Sequence, residues 1–199
     1  MTTRIGVFGG AFDPPHAAHE ALAQAASVQA DLQRLLIIPT GQAWHKARPL
    51  TAATHRLAMC RLAFAENARI EIDARETRRA GASYTAETLA QLREENPQSE
   101  FFLIIGTDQA IFFRHWKNAA GILSMCRILI AQRGDEIFPV DGLLPGTETA
   151  PGRVRNLRFE PISISSTDIR RRVAAGTDIG EYVKPTVAAY IRQHRLYLS

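Results

Sequence analysis

Two histidines stand three residues apart, directly after the first apolar run of the chain. His16 and His19 follow Gly9-Gly10 and a turn made by Asp13-Pro14-Pro15. Glycines after a strand let the backbone approach a ligand closely, because no Cβ intervenes, and proline suits the first turn of a helix. The N-terminus of that helix would offer N–H groups and a positive dipole end to an anion. Both histidines lie on one helical face and could donate to the same phosphate.

The histidine pair admits two other interpretations. Histidines at this spacing could bind a metal, but no carboxylate or cysteine of the sequence is arranged with them. They could also be two surface histidines of an ordinary helix. We favour phosphate binding, because the glycines, the prolines and the histidines all come directly after one predicted strand.

A second group of hydroxyl and basic residues lies far downstream. Ser165, Ser166 and Thr167 begin a predicted helix, and Arg170 follows one turn later. Hydroxyl residues at a helix start cap the helix and leave N–H groups that can face a phosphate. An arginine at that end adds a bidentate phosphate donor. Taken alone, this pattern also fits any capped basic helix.

Apolar runs alternate with helical patterns and define the elements that must position these groups. Strands are predicted over 5–9, 35–39, 70–73, 101–106 and 127–131, and helices over 16–28, 54–65, 83–95, 118–124, 167–175 and 186–194. Such an alternation predicts an α/β fold, a Rossmann-like doubly wound parallel sheet covered on both faces. Sheets of this kind bind ligands beyond the carboxyl ends of their strands. The loops after Phe8, Ile38 and Ile105 should therefore share one crevice.

The length of 199 residues suits one domain. We predict a Rossmann-like core over residues 1–133 and a loop over 134–155, which is rich in Gly, Pro, Asp and Thr. A small C-terminal part over 156–199 would contribute a strand and helices and carry the second phosphate motif. The sequence leaves open whether the protein is a monomer or a homo-oligomer.

The charge balance and the cysteines narrow the class of partner. Twenty-four basic against 20 acidic residues give a net charge of +4, which favours anionic partners. Basic runs interleaved with aromatics are missing, so we expect a small anion and no nucleic acid. Cys60 and Cys126 lie in separate apolar stretches, which is typical of free thiols in a reducing compartment. With no signal segment and no apolar run near the ~20 residues of a membrane helix, we expect no membrane partner and a cytoplasmic location.

The two phosphate patterns together resemble the two signatures of the nucleotidyltransferase superfamily, which shares its histidine motif with class I aminoacyl-tRNA synthetases. Residues 10–19 match Gly-x-Phe-Asp-Pro-x-His-x-x-His, and residues 165–170 match Ser-Ser/Thr-Thr-x-Ile-Arg. The resemblance implies that His16 and His19 are catalytic. It further implies an ATP-binding set drawn from both signatures: Gly9, Gly10, Phe12, Ser165, Ser166, Thr167 and Arg170.

The middle of the chain resembles the bacterial nicotinate mononucleotide adenylyltransferases. Residues 83–88 match the Ser-Tyr-Thr-x-x-Thr segment of that family, and Trp116 stands at its tryptophan position. The resemblance implies that Tyr84, Thr85 and Trp116 bind nicotinate mononucleotide, with the indole stacked on the pyridine ring. From the physical side alone, 83–88 is a Ser/Thr-rich helix start that could simply be an N-cap.

Two further loops of the chain resemble ATP-binding loops of the same family. Pro39 is followed by Trp44-His45-Lys46, which implies a phosphate contact for Lys46, although a solvated loop lysine is an equal alternative. Gly106-Thr107-Asp108 ends a strand where the family places Gly-x-Asp beside the ribose and adenine of ATP. The resemblance thus covers almost the whole chain.

The resemblance implies a complete reaction. ATP and nicotinate mononucleotide would give nicotinate adenine dinucleotide (deamido-NAD) and pyrophosphate, a step of NAD biosynthesis. Mg²⁺ would arrive with ATP rather than occupy a protein cage, so no metal ligand is assigned. His19 would contact the α-phosphoryl oxygens, while Lys46 and Arg170 would hold the pyrophosphate.

Four positions depart from the family pattern, and three other functions remain open. Ala11, Ala18, Trp44 and Lys117 stand where a hydroxyl residue, Gly, Pro and an aromatic are common. A phosphopantetheine adenylyltransferase would share the first motif but lack the 83–88 segment. A cytidylyltransferase would fit the two superfamily signatures. A nucleotide-sensing or RNA-binding protein on the same fold would be expected to lose one of the motifs, whereas both are intact.

Overall fold

A single sheet forms the centre of the computed structural model, which describes residues 2–41, 49–131, 138–139, 143, 152–158, 160 and 162–198. The strands are β1 Arg4–Gly10, β2 Arg34–Pro39, β3 Ile70–Ile72, β4 Glu100–Gly106, β5 Arg127–Ala131 and β6 Val154–Leu157. The helices are α1 Ala17–Gln29, α2 Ala53–Ala63, α3 Arg75–Arg78, α4 Thr85–Glu95, α5 Thr107–Phe112, α6 Ala119–Met125, α7 Ser166–Ala174 and α8 Pro185–Gln193.

All six strands are parallel, in the order β3-β2-β1-β4-β5-β6. The chain moves outward from β1 to β2 and β3, then crosses back and continues on the other side of β1 with β4. Strand order therefore reverses between β1 and β4, and such a reversal opens a crevice at the carboxyl ends of the two strands. Gly10 and Gly106 end those strands, as the sequence predicts.

The strands are buried on both faces, which explains their continuous apolar character. In β4, Phe101, Leu103 and Ile105 pack on the side of α4 and α6. Phe102 and Ile104 point the opposite way and pack beneath α1 and α2. Because side chains alternate along a strand, only a sheet covered on both sides buries every residue of such a run. The predicted doubly wound α/β fold is confirmed.

The C-terminal helices pack into the same core as the first strand. Ile169 of α7 and Val187 and Ile191 of α8 are buried in the cluster that contains Phe12. Pro185 occupies the first turn of α8, where its missing N–H has no helical partner to lose. The backbone N–H of Ala17 at the start of α1 donates to the Tyr182 carbonyl (2.8 Å). These contacts fix α7 and α8 against the start of α1.

Three short elements lie outside the sequence prediction, and one strand begins inside the predicted loop. Helices α3 and α5 and the 3-10 turn Phe113–His115 span six residues or fewer. Helices of this length show too little periodicity to be recognised and depend on tertiary packing. Strand β6 begins at Val154, two residues inside the predicted loop of 134–155, most of which is outside the described residues. Within the described residues, no helix is long and apolar enough to cross a membrane.

Neither cysteine thiol should react with Ellman's reagent at pH 8 in the folded protein. Both are buried and free. Burial raises the pKa of the Cys126 thiol to about 12 and raises that of Cys60 as well, so the reactive thiolate is scarce. The absorbance of released thionitrobenzoate should show no reaction within minutes in buffer. After unfolding in guanidinium it should show that both thiols have reacted. Reaction of either thiol in buffer at the rate of glutathione would contradict this packing.

Candidate active site

The two predicted catalytic histidines stack on each other at the start of α1. His16 precedes the first helical residue, and the ring centroids of His16 and His19 are 3.8 Å apart. The His16 backbone N–H donates to Nδ1 of His19 (3.2 Å). An accepting Nδ1 carries no proton, so the neutral His19 ring carries its proton on Nε2. This contact therefore fixes His19 as an N–H donor through the nitrogen far from its own backbone.

Phe12 lies under these histidines and not on the surface. Its side chain is 1% exposed, packs edge-on against Phe8 at 5.4 Å, and lies 4.9 Å from the His19 ring between centroids. Its backbone has a φ of +47°, a left-handed conformation unusual for a bulky residue. The loop thus turns sharply here and directs the ring inward. Any nucleotide contact by Phe12 can involve only its backbone.

The second phosphate motif meets the first. Ser166 Oγ donates to the Pro14 carbonyl (2.9 Å), and an N–H of Arg170 donates to the Asp13 carbonyl (2.8 Å). Ser165 caps α7: its Oγ accepts from the Asp168 N–H (3.1 Å) and also contacts the Asp168 carboxylate. This contact lowers the pKa of Asp168. The two bonds from Ser166 and Arg170 thus join residues that are 152 and 157 positions apart in the sequence.

Side chains that the sequence analysis predicts to bind phosphate make hydrogen bonds within the protein instead. The hydroxyls of Ser165 and Ser166 cap α7 and join it to the first loop, and Thr167 Oγ1 accepts from Arg170 (3.0 Å). A phosphate at this helix start would therefore meet backbone N–H groups and the guanidinium more than free hydroxyls.

Glycines line the crevice where β1 and β4 end. Gly9 is exposed at the end of β1, and a Cβ on Gly10 would lie 3.0 Å from the Phe12 ring. Gly106 precedes α5 and has open space where a side chain would stand. Asp108 is exposed in the first turn of α5. Gly9 and Gly106 thus leave bare backbone at the strand ends, which allows a flat ligand to lie against it, whereas Gly10 makes room for the Phe12 ring.

The residues assigned to the acceptor lie in two segments, the start of α4 and the tryptophan loop, that Lys117 connects. Tyr84 immediately precedes α4, Thr85 is its first residue, and the Trp116 ring packs on Phe113 (5.4 Å between centroids). Lys117 Nζ lies 4.2 Å above the Tyr84 ring and 2.9 Å from a Glu87 carboxylate oxygen. The Glu87 contact raises the pKa of Lys117. The departure at Lys117 therefore joins the tryptophan loop to the start of α4.

Sequence reasoning misses a buried carboxylate beneath the acceptor segment. Glu76 of α3 accepts a hydrogen bond from Thr88 Oγ1 (2.8 Å), and burial raises the pKa of Glu76. A Cβ on Gly41 would lie 2.1 Å from the Glu76 carbonyl oxygen, so only glycine fits there. Glu76 stands among arginines in the sequence, a pattern typical of a solvated face, and nothing there signals its burial.

Trp44, His45 and Lys46 lie outside the described residues, so the predicted phosphate contact of Lys46 stays a prediction. The described residues contain no group of three or more His, Cys, Asp or Glu side chains that could hold a metal ion.

Comparison with known proteins first defines the class. The family model described as cytidylyltransferase-like matches residues 7–172, a range that includes both phosphate motifs and the sheet between them.

Full-length relatives narrow that class. A protein of Albidiferax ferrireducens named probable nicotinate-nucleotide adenylyltransferase is 46% identical over 195 residues, 98% of each chain. A protein of the same name from Chromobacterium violaceum is 36% identical, over 99% of this chain and 100% of its own. The chain belongs to the nicotinate-nucleotide adenylyltransferase family of the cytidylyltransferase-like proteins.

Solved structures share the fold. The nicotinic acid mononucleotide adenylyltransferase of Plasmodium falciparum complexed with NaAD has a TM-score of 0.79 at 20% identity, and the complex with APC has 0.78 at 19%. Each comparison covers 98% of this chain and 97% of that one. At such low identity the likeness supports the sheet and its helices.

Replacing His19 should test the histidine pair, with asparagine and glutamine as contrasting variants. His19→Ala should lower kcat by ~10²–10³, as the loss of one transition-state donor does. Glutamine places an amide N–H near the position of Nε2, whereas asparagine mimics Nδ1. Glutamine should therefore retain more activity than asparagine in steady-state assays. His194→Ala, an exposed histidine after α8, is the control. Near-normal turnover of His19→Ala would remove His19 from the site.

Proposed function

We propose that this protein joins ATP and nicotinate mononucleotide to give nicotinate adenine dinucleotide and pyrophosphate. The observation that carries the proposal is the meeting of two helix starts, α1 with its stacked histidines and α7 with Arg170, beside the carboxyl end of β1. Two helix N-termini and cationic or N–H donor side chains are what a polyphosphate chain requires. The acceptor follows from the names of the full-length relatives.

The chemistry is an in-line displacement at the α-phosphorus. An oxygen of the acceptor's 5′-phosphate forms the new P–O bond, the bond to the bridging oxygen of pyrophosphate breaks, and that oxygen leaves with the electron pair. The acceptor phosphate is already anionic at neutral pH, so the site needs no nucleophilic side chain and no strong base. Catalysis consists of alignment and of stabilising negative charge on the transferred phosphoryl oxygens.

We assign the charge stabilisation to the histidine pair and to α7. Nε2–H of His19 faces away from its backbone acceptor contact and donates to an α-phosphoryl oxygen, with His16 stacked beside it. Arg170 and the N–H groups of Ser166 and Thr167 hold the β- and γ-phosphates, together with Lys46. Mg²⁺ bound to the ATP substrate would supply further positive charge to the phosphates.

The crevice between β1 and β4 receives the nucleoside of ATP. The bare backbone at Gly9, Gly10 and Gly106 admits the adenine and ribose, and Asp108 accepts from a ribose hydroxyl. The nicotinate ring lies between the Trp116 side and the start of α4, where the N–H groups near Tyr84 and Thr85 suit its carboxylate. Stacking on the indole would supply most of the affinity for the ring.

Pyrophosphate release from purified protein tests the function directly. With ATP and Mg²⁺, we expect release in the presence of nicotinate mononucleotide and slower release with nicotinamide mononucleotide. CTP in place of ATP should give little product, and phosphopantetheine should give none. Release with CTP but not ATP would assign a cytidylyltransferase instead, and no release with any pair would contradict adenylyl transfer.

Trp116→Ala should separate acceptor binding from ATP binding. Loss of one stacked aromatic face removes ~1–3 kcal/mol, a rise of roughly 5- to 150-fold in the KM for the mononucleotide. The KM for ATP should stay within about twofold, because the indole lies on the acceptor side. Phe112→Ala removes an exposed aromatic at the end of the preceding helix α5 and serves as the control. Equal losses for both substrates would exclude Trp116 from the acceptor site.

A further inference from the structure

Asp13 lies three residues before His16 and is a buried junction of the fold. Its side chain is 1% exposed. One carboxylate oxygen accepts from the Tyr197 hydroxyl (2.7 Å) and the other from the Thr51 backbone N–H (3.2 Å). Its backbone carbonyl accepts from Arg170 (2.8 Å). The proposed mechanism gives Asp13 no contact with either substrate, yet three distant parts of the chain converge on it.

A buried arginine holds the same turn from below. Arg56 is 2% exposed and donates to the Ala11 carbonyl (2.9 Å) and to the Thr51 carbonyl (2.8 Å). Burial lowers the pKa of Arg56, and the negative charge of Asp13 opposes that change. Arg56 and Asp13 therefore form a compensated pair of charges, with the Thr51 backbone bonded to both.

The segment after α8 turns sharply and brings the Tyr197 hydroxyl to Asp13. After α8, Arg195 has a φ of +50°, and the Leu196 N–H donates to the Ile191 carbonyl (3.1 Å), a left-handed helix end usually built on glycine. Tyr197 itself has a φ of +64°. Two left-handed non-glycine residues so close together are unfavourable unless the surroundings compensate. Here the phenol's bond to Asp13 and the packing of Leu196 and Tyr197 against the core offset that cost.

We propose that Tyr197 is a positioning residue for the histidine pair, acting through Asp13. The Tyr197 hydroxyl holds the Asp13 carboxylate and thereby the Asp13-Pro14-Pro15 turn that precedes His16. Because the His16 N–H holds Nδ1 of His19, the position of this turn determines where Nε2 of His19 points. Tyr197 touches no reacting atom. The role rests on the proposed adenylyl transfer for its kinetic consequence, whereas its effect on the histidine rings exists without any reaction.

Tyr197→Phe removes only the hydroxyl and keeps the ring in place. We expect kcat to fall about tenfold, because small displacements of a donor from the reacting atoms cost up to ~10²-fold. The KM for ATP should change less than about twofold. Tyr190→Phe is the matched control, since the Tyr190 hydroxyl lies in α8 and contacts His55 Nδ1 (3.0 Å), away from Asp13. A kcat within twofold of the unmodified protein for Tyr197→Phe would overturn the proposal.

A double substitution distinguishes positioning from general stabilisation. In the His19→Ala background, Tyr197→Phe should lower kcat by less than about threefold, because the donor that it positions is already gone. A purely structural tyrosine would reduce the folded fraction equally in both backgrounds. A larger loss in the His19→Ala background therefore overturns the proposal.

Histidine NMR provides a readout that needs no activity. Ring ¹⁵N and ¹H signals are assigned with single His→Ala variants and recorded for both tyrosine variants. Tyr197→Phe should shift the signals of His16 and His19, while Tyr190→Phe should shift His55 and His194, which it contacts. Unchanged His16 and His19 signals in Tyr197→Phe would overturn the positioning role, even if the unmodified protein released no pyrophosphate.

Discussion

The buried polar turn at residues 11–14 imposes the constraint on which the site depends. A loop that brings backbone next to a ligand leaves carbonyls and a carboxylate away from water, and each unsatisfied group costs about 1–3 kcal/mol. Domains are stable by only about 5–15 kcal/mol, so several such losses would unfold the protein. Partners reach this turn from α2, α7 and the segment after α8. Satisfying this turn therefore determines where those elements pack.

The same bonds arrange the electrostatics of the crevice. Docking α7 on the turn places its N-terminus beside that of α1, so two positive helix ends approach one another. The arrangement is unfavourable in an empty site and favourable once an anion lies between the ends. An interaction that strengthens with negative charge on the ligand suits a reaction in which the leaving pyrophosphate gains negative charge as the new bond forms at the α-phosphorus.

Local signals in the sequence predict the sheet, the main helices and both phosphate motifs. The run 101–106 is apolar enough to fix a buried strand, and the glycines and histidines of residues 9–19 define a helix start beside a ligand. The inward turn of Phe12, the burial of Glu76 and the bond between Tyr197 and Asp13 leave no such signal. Each depends on residues distant in sequence: Tyr197 is an ordinary aromatic after a helix until the fold places it beneath Asp13.

Lys117 shows how a departure from a family pattern can be absorbed. An aromatic is common there, and lysine could be expected to weaken the acceptor side. Instead the ammonium group lies over the Tyr84 ring and pairs with Glu87, so the tryptophan loop stays joined to the start of α4. Exposed ion pairs contribute little to stability. The contact is therefore better understood as local alignment than as a source of folding energy.

The Asp13–Tyr197 bond spans 184 residues of sequence, and this separation affects when the loop before His16 can complete its folding. During synthesis the strand-one loop emerges first, whereas Arg170 and Tyr197, which donate to the Asp13 carbonyl and carboxylate, emerge more than 150 residues later. Bonds of such long range also close slowly, because distant segments must meet before any contact rewards them. The Asp13 carboxylate of the nascent chain therefore lacks the Tyr197 hydrogen bond until residue 197 has left the ribosome. All the strands that the structure describes, the last of which ends at Leu157, are synthesised before the loop gains this bond.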